Sequence, residues 1–242
     1  MLTFARPEAK NAMTWDMYDA IVEACDEVDR SDARVLIIRG SGGAFSAGTD
    51  IGQFAGLTTG EAGVAYERRI GAVIDRLERL EKVTLASVDG PAVGGGCAIA
   101  VACDLRICAD TATFGVPVAR TLGNCLSVEN LARLVDVVGA GRAADMLLTG
   151  RLVAADQALE WGLVSRVSPV HELWADTQAL ALDLAARAAS TVVATKAMLR
   201  RLGSVRRPGP GACDDLISAC YASADFREGV AAFAERRKPR FL

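Results

Sequence analysis

The chain has 242 residues, about half of them apolar (51%), which suffices for one large domain or a core with a small appendage. Its net charge of −3 comes from acids and bases mixed along the sequence, which excludes a general nucleic-acid binder and leaves room only for a local basic patch. No apolar run approaches the length of a membrane span, and the seven scattered cysteines, with no CxxC pair and no signal peptide before them, read as reduced thiols in a cytoplasmic protein.

Residues 1–6 read as the tail of a strand that Pro7 ends. A helix begins at Asn11 or Thr14, with Trp15, Tyr18, Val22, Cys25 and Val28 on one face. Residues 34–39 form a short buried strand closed by glycines. Thr58 or Thr59 caps a second helix whose stripe is Ile70, Val73, Ile74, Leu77 and Leu80. Residues 83–88 are the next buried strand, followed by the Asp89-Gly90-Pro91 turn. A helix spans 97–103 and a strand 105–109, so strands alternate with helices in an α/β pattern. From about residue 127 helices dominate, over 127–137, 139–149, 154–161, 172–188, 190–202, 212–223 and 225–236. Only 163–167 reads as a strand among them, and 203–211 is a Pro/Gly loop and the best linker. The division expected is an α/β core over 1–190 and a helical part over 191–242.

Two glycine-bearing stretches, Ala44-Phe45-Ser46-Ala47-Gly48-Thr49-Asp50-Ile51 and Gly90-Pro91-Ala92-Val93-Gly94-Gly95-Gly96-Cys97, each follow a buried strand. The second opens a helix, whose first N–H groups lack partners and lie at a positive dipole end. Two such donors on separate loops can polarise one carbonyl from two sides. The glycine run is not a GxGxxG fingerprint, and there is no Walker sequence. No cluster offers three or four metal ligands, and no metal site is expected. His171, the single histidine, reads as a surface residue.

Together with Arg6-Pro7-Glu8-Ala9-Lys10-Asn11-Ala12-Met13, Ala102-Cys103-Asp104-Leu105-Arg106, Phe114-Gly115, Met146-Leu147-Leu148-Thr149-Gly150, Trp161-Gly162-Leu163-Val164 and the 226–233 segment, these stretches make the chain resemble the crotonase superfamily, also called the enoyl-CoA hydratase/isomerase family. The resemblance runs nearly end to end. It implies an α/β fold, a spiral of repeated ββα units followed by a helical C-terminal region for trimerisation, as a homotrimer or dimer of trimers. It implies acyl-CoA substrates, with coenzyme A entering as part of the substrate and no separate cofactor. It places the oxyanion hole at the N–H groups of Ala47 and Gly95, where an enolate would be stabilised; removing one such donor costs on the order of 3 kcal/mol. It places coenzyme A contacts at Ala9, Asn11, Thr49, Asp50, Ile51 and Gly94. Asp50 itself reads as a local backbone contact. The basic run 236–240 either reaches the coenzyme A of an adjacent subunit or is a solvated charge run.

The chain departs from the family at the two glutamates that activate water in its hydratases. The first position is Ala98. The second is Val118, or Ala119 if the loop shifts by one. Neither side chain moves a proton, so two-glutamate hydration is not expected. Asn124 and Glu129 are the remaining candidates: Asn124 could orient water or a carbonyl, whereas Glu129 suits the first turn of a helix capped by Ser127. Arg120 reads equally as a substrate-carboxylate partner or a solvated loop residue. The family's first strand, before the Arg-Pro motif, is missing here, which is expected to leave a sheet edge unpaired. The leading function is a cytoplasmic enzyme, nominally an enoyl-CoA hydratase or isomerase, acting through an enolate. The alternatives are a non-catalytic acyl-CoA-binding protein, or a thioester hydrolase whose water is placed by Asn124 or Glu129.

Overall fold

The computed structural model describes residues 1–209 and 211–241. Five strands, β1 (Leu2–Phe4), β2 (Val35–Gly40), β3 (Val83–Val88), β5 (Leu105–Ala109) and β8 (Arg166–Ser168), form one parallel sheet in the order β1-β2-β3-β5-β8. Val35 lies opposite Val83, Leu85 opposite Leu105 and Ile107 opposite Arg166. A parallel sheet covered on both faces draws on near-continuous apolar runs, and all six residues of β3 are buried, its two hydroxyls paired, Thr84 with Asp104 and Ser87 with Thr177. Leu36, Ile38, Ala86, Val88 and Cys108 point into the main core with helices α1 (Trp15–Arg30), α2 (Gly60–Arg79) and α3 (Gly95–Ala102). Leu85, Ile107 and Ala109 point the other way, against Leu173 and Leu180 of α7 (Leu173–Ala185).

A second, small sheet joins β4 (Pro91–Val93) in parallel to β6 (Thr113–Gly115), which pairs antiparallel with β7 (Val153–Ala154). Strands β3 and β5 of the large sheet are each followed by a short strand of the small one. The sequence did not signal β4, β6 or β7, because two or three residues are too few for a period. The strand expected at 163–167 lies at 166–168 instead. Leu163 and Val164 belong to the turn closing α6 (Ala155–Glu160), with both N–H groups donated to the Ala158 carbonyl.

The helix starts follow their caps. Thr14 Oγ1 accepts from Met17 N–H at 3.3 Å, and Thr59 Oγ1 from Ala62 N–H at 3.2 Å, so Asn11 and Thr58 are not the caps. Helices α4 (Val128–Val138), α5 (Ala140–Thr149), α8 (Ala189–Arg206), α9 (Asp214–Tyr221) and α10 (Ala224–Ala234) complete the chain. Of the loop expected at 203–211, residues 203–206 extend α8, and Pro210 lies outside the described residues. Helix α9 packs along α2, and Tyr221 and Phe226 are enclosed in the main core. Strand β1 is the end strand of the large sheet, paired through Leu2 to Ile38 on one side only among the described residues.

The helix α3, which opens on the glycine run, is anchored at its far end by Arg106. This buried guanidinium donates to the carbonyls of Ala100, Val101 and Cys103 at 3.2, 3.2 and 2.5 Å, and to Leu163 O at 2.7 Å. It meets the negative end of the helix dipole and the carbonyls that the helix leaves unpaired. Arg106→Met should therefore cost at least about 3 kcal/mol in urea unfolding, since several buried acceptors lose their donor together. A loss below about 1 kcal/mol would show that water replaces the guanidinium.

Candidate active site

The Arg-Pro motif builds the floor of the first glycine stretch. Asn11, fully buried, accepts the Arg6 N–H at 2.8 Å and donates to the carbonyls of Ser41 (2.9 Å) and Ala44 (2.7 Å). Every polar atom of its side chain is thus occupied, and the expectation that Asn11 contacts coenzyme A is corrected: it holds the loop. Ala9 is half-buried in a single 3₁₀ turn beneath this loop. Asp50 accepts from Arg6 Nη1 and from Gly52 N–H, each at 3.0 Å, which is the local structural role expected of it.

The two glycine stretches are stitched side by side. Ser46 pairs with Ala92 as an isolated parallel bridge; Phe45 and Ser46 donate to Pro91 O, and Val93 donates to Ser46 O. At Gly48, with φ +97°, a Cβ would lie 3.0 Å from Val93 O and 3.5 Å from Gly95 N, so a side chain there would force the loops apart. Gly94 adopts φ +55° and ψ −121°, a conformation for glycine alone, and turns β4 into the start of α3.

The amides of these loops divide into used and unused ones. The Ala47 N–H donates to Lys10 O at 2.9 Å, and the Gly48 N–H to Ser46 Oγ at 3.2 Å. Ala47 is therefore not available as an oxyanion donor, and that expectation is corrected. The Asp50 N–H donates to Met13 O. Between them, the Thr49 N–H has no acceptor among the described residues, and neither has that of Gly95, the first residue of α3. Both residues line one cavity of about 250 Å³, together with Gly94 and Ile51.

The cavity also answers what replaces the missing glutamates. Ala98 and Val118 both line it, whereas Ala119 faces outward, so the two positions present only apolar groups. Glu129 does not reach the cavity. It lies in the first turn of α4, capped by Ser127, and lines an outer groove. Asn124 does line the cavity; its Nδ2 donates to Tyr221 Oη at 3.1 Å, and its Oδ1 is buried without a partner. Arg120 is exposed in a separate groove with Arg237 and Lys238, and Arg237 is paired with Glu228 and Glu235. Burial pushes the thiol of Cys97 up to about 12, so the cysteine after the glycine run stays protonated and is no nucleophile.

One acid in the cavity was not singled out from the sequence. Glu67 of α2 is 5% exposed and lines the cavity. Its carboxylate accepts from Tyr221 Oη at 2.6 Å and from Ser127 N–H at 3.0 Å. Burial pushes its pKa from 4.5 up to about 7 against those two hydrogen bonds, and the nearby Glu129 adds to the rise. The signal was present: Glu67 falls in helical register with Ile70, Ile74 and Leu77, a carboxylate on the buried stripe. Above it, Thr49 Oγ1 is shared between Tyr18 Oη (2.8 Å) and Tyr66 Oη (2.7 Å). Phe54 and Tyr66 line the cavity and pack on Tyr221 and Phe226 in edge and tilted contacts.

Comparison with known proteins places this arrangement. The family model described as enoyl-CoA hydratase/isomerase matches residues 1–242. The chain is 37% identical over 243 residues to the protein named "Probable enoyl-CoA hydratase echA8" of Mycobacterium tuberculosis, covering 100% of this chain and 93% of that one. It is 34% identical to a crotonyl-CoA hydratase of Syntrophomonas wolfei, covering 100% of this chain and 94% of that one. A solved structure of methylmalonyl-CoA decarboxylase in complex with 2-nitronate-propionyl-CoA superimposes with a TM-score of 0.90 at 26% identity, covering 99% of this chain and 94% of that chain.

Proposed function

The chain belongs to the enoyl-CoA hydratase/isomerase family, the crotonase superfamily, and we propose that it is an enzyme that activates an acyl-CoA thioester by stabilising its enolate. One observation carries this reading. The N–H groups of Thr49 and Gly95 stand on two stitched loops, have no acceptor among the described residues, and belong to residues lining the same cavity. A thioester oxygen placed between them gains both hydrogen bonds as it becomes negative. Such donors act where charge develops, without reorganising. In this reading Ile51 and Gly94 shape the wall beside the thioester, and Thr49 takes the role expected of Ala47.

Ala98 and Val118 argue against hydration by two carboxylates, since neither can hold or activate water. The enolate is therefore used for a step needing less proton machinery. The family resemblance further supports a homotrimer or dimer of trimers, and Met198, Leu199, Leu202 and Val205 of α8 offer exposed apolar surface for it. A cytoplasmic location fits the seven free thiols. Among the described residues, no helix is long and apolar enough to cross a membrane.

Calorimetric titration tests the reading. Butyryl-CoA, hexanoyl-CoA or octanoyl-CoA is expected to bind more tightly than coenzyme A alone, because only the thioester reaches the cavity. Crotonyl-CoA is expected to bind without hydration at an enzyme-like rate. Failure of every thioester to bind refutes the proposed substrate class; rapid hydration refutes the argument from the absent carboxylates.

A further inference from the structure

We propose that Glu67 is the proton-transferring group of this site, carried into the cavity by α2 in place of the two loop positions occupied by Ala98 and Val118, and that Tyr221 and Asn124 position it. The inference rests on the acyl-CoA reading above. The geometry has three parts. Glu67 and the two unpaired amides of Thr49 and Gly95 line the same cavity. The carboxylate is aimed by two donors on different elements, Tyr221 Oη of α9 and Ser127 N–H ahead of α4, and Asn124 in turn donates to Tyr221 Oη. The buried Asn124 Oδ1 beside it has no partner, which leaves an acceptor for a substrate or water inside the cavity.

The third part is the position of Glu67 between two spaces. It also lines an outer groove between α2, α4 and α9, with Asp75, Arg79, Ser127, Glu129 and Arg133. A proton on Glu67 can thus be replaced from solvent while a substrate fills the cavity. The chemistry balances with this one group. The carboxylate takes the proton from the carbon next to the thioester carbonyl, the C–H electron pair moves into the carbonyl, and the enolate forms between the Thr49 and Gly95 amides. The neutral acid then returns a proton to the same carbon, which is exchange, or to the far end of a conjugated enolate, which moves a double bond. No oxidant, water or second carboxylate is consumed.

The groups facing Glu67 are Tyr18 of α1, Tyr66 of α2, Tyr221 and Cys220 of α9, Cys125 of the loop before α4, and Glu129 of α4. Burial raises the three tyrosines well above the neutral range, so they remain donors, not bases. Burial likewise places the Glu67 titration at about 7, where an acid–base group serves both directions.

The test is deuterium incorporation at the α-carbon of butyryl-CoA, hexanoyl-CoA and octanoyl-CoA in D₂O, read by mass spectrometry on the full chain, with binding measured in parallel. Wild type is expected to exchange at least one thioester, at a rate that rises with pH through about 7. Glu67→Gln is expected to lose about 100-fold or more of that rate with the dissociation constant little changed. Tyr221→Phe is expected to keep exchange and move the midpoint upward, because it removes a hydrogen bond that favours the ionised carboxylate. A merely structural Glu67 would not move that midpoint. Wild-type exchange speed in Glu67→Gln overturns the proposal, as does a wild type that binds thioesters without exchanging them. Should Glu67→Gln fail to fold, a wild-type profile flat between about pH 6 and 8 overturns it equally. A wild type that binds no thioester instead refutes the acyl-CoA reading, and the inference with it.

Discussion

Gly95→Pro, made in a Tyr18→Phe background, should lower α-proton exchange by about 10²- to 10³-fold relative to Gly95→Ala in the same background. Proline fits the first position of a helix; it deletes the N–H, here the unpaired donor at the start of α3, and sets its ring Cδ where that hydrogen was. The double variants are needed because a Cβ on Gly95 would lie 2.4 Å from Tyr18 Oη and 3.6 Å from the ring carbon that bears it. Removing the hydroxyl relieves that clash in both members of the pair, and the alanine variant carries the Cβ with the N–H intact. The remaining difference reports loss of the amide together with the ring Cδ that takes its place. Thioester binding should weaken less than the rate, because the lost hydrogen bond strengthens as charge moves onto the oxygen while the steric cost of the ring is common to both states. Equal rates for the two variants would remove Gly95 from the oxyanion hole, whatever the effect of the common background.

Glu67→Gln should also make the protein more stable relative to wild type as pH rises. Glu67 has its pKa raised from 4.5 in the unfolded reference to about 7 in the folded chain. Between those values the folded state holds more protons than the unfolded state, so stability falls as pH increases. The penalty is absent below about 4.5 and complete above about 7, where it reaches on the order of 3 kcal/mol for this buried carboxylate. Glutamine carries no such titration, although it satisfies its two donors less well, which costs a constant amount at every pH. Wild type minus variant melting temperatures should therefore shift by roughly 5 to 10 °C between pH 5 and pH 8, to the disadvantage of wild type. A difference that does not vary with pH would mean that Glu67 titrates like an ordinary surface carboxylate. The expected result describes a site that retains a destabilising charge for use in proton transfer.

Burial explains why the same residue enters both lines of argument. A carboxylate in water at neutral pH is a weak base with little tendency to hold a proton. Buried against Tyr221, it is a base and an acid in comparable measure. The hydrogen bonds from Tyr221 and Ser127 limit that shift while fixing direction. Family members with glutamates on the loops would not need the α2 carboxylate; a chain with Ala98 and Val118 does.

Much of the fold was legible because its elements are long enough to show a period. The stripe of α2, the continuous apolar runs of β2, β3 and β5, and the threonine and serine caps each encode their own conformation locally. The short strands β4, β6 and β7 were not legible, since their pairing partners and not their composition make them strands. The order of motifs along the chain determined the family, the acyl-CoA class of ligand and the absence of both loop glutamates. Which amide is free was decided only in three dimensions: Ala47 is spent on Lys10, a partner 37 residues earlier in sequence, while Thr49 is left over. Two of the three side-chain partners of Asn11 lie about thirty residues away, so its loop-holding role was equally hidden. Glu67 reads as one acid among thirty Asp and Glu residues until α9, over 150 positions later, lays Tyr221 across it. Sequence determines the groups a chain can offer; burial and hydrogen bonding between distant segments decide which of them remain unsatisfied, and it is those that can act on a substrate.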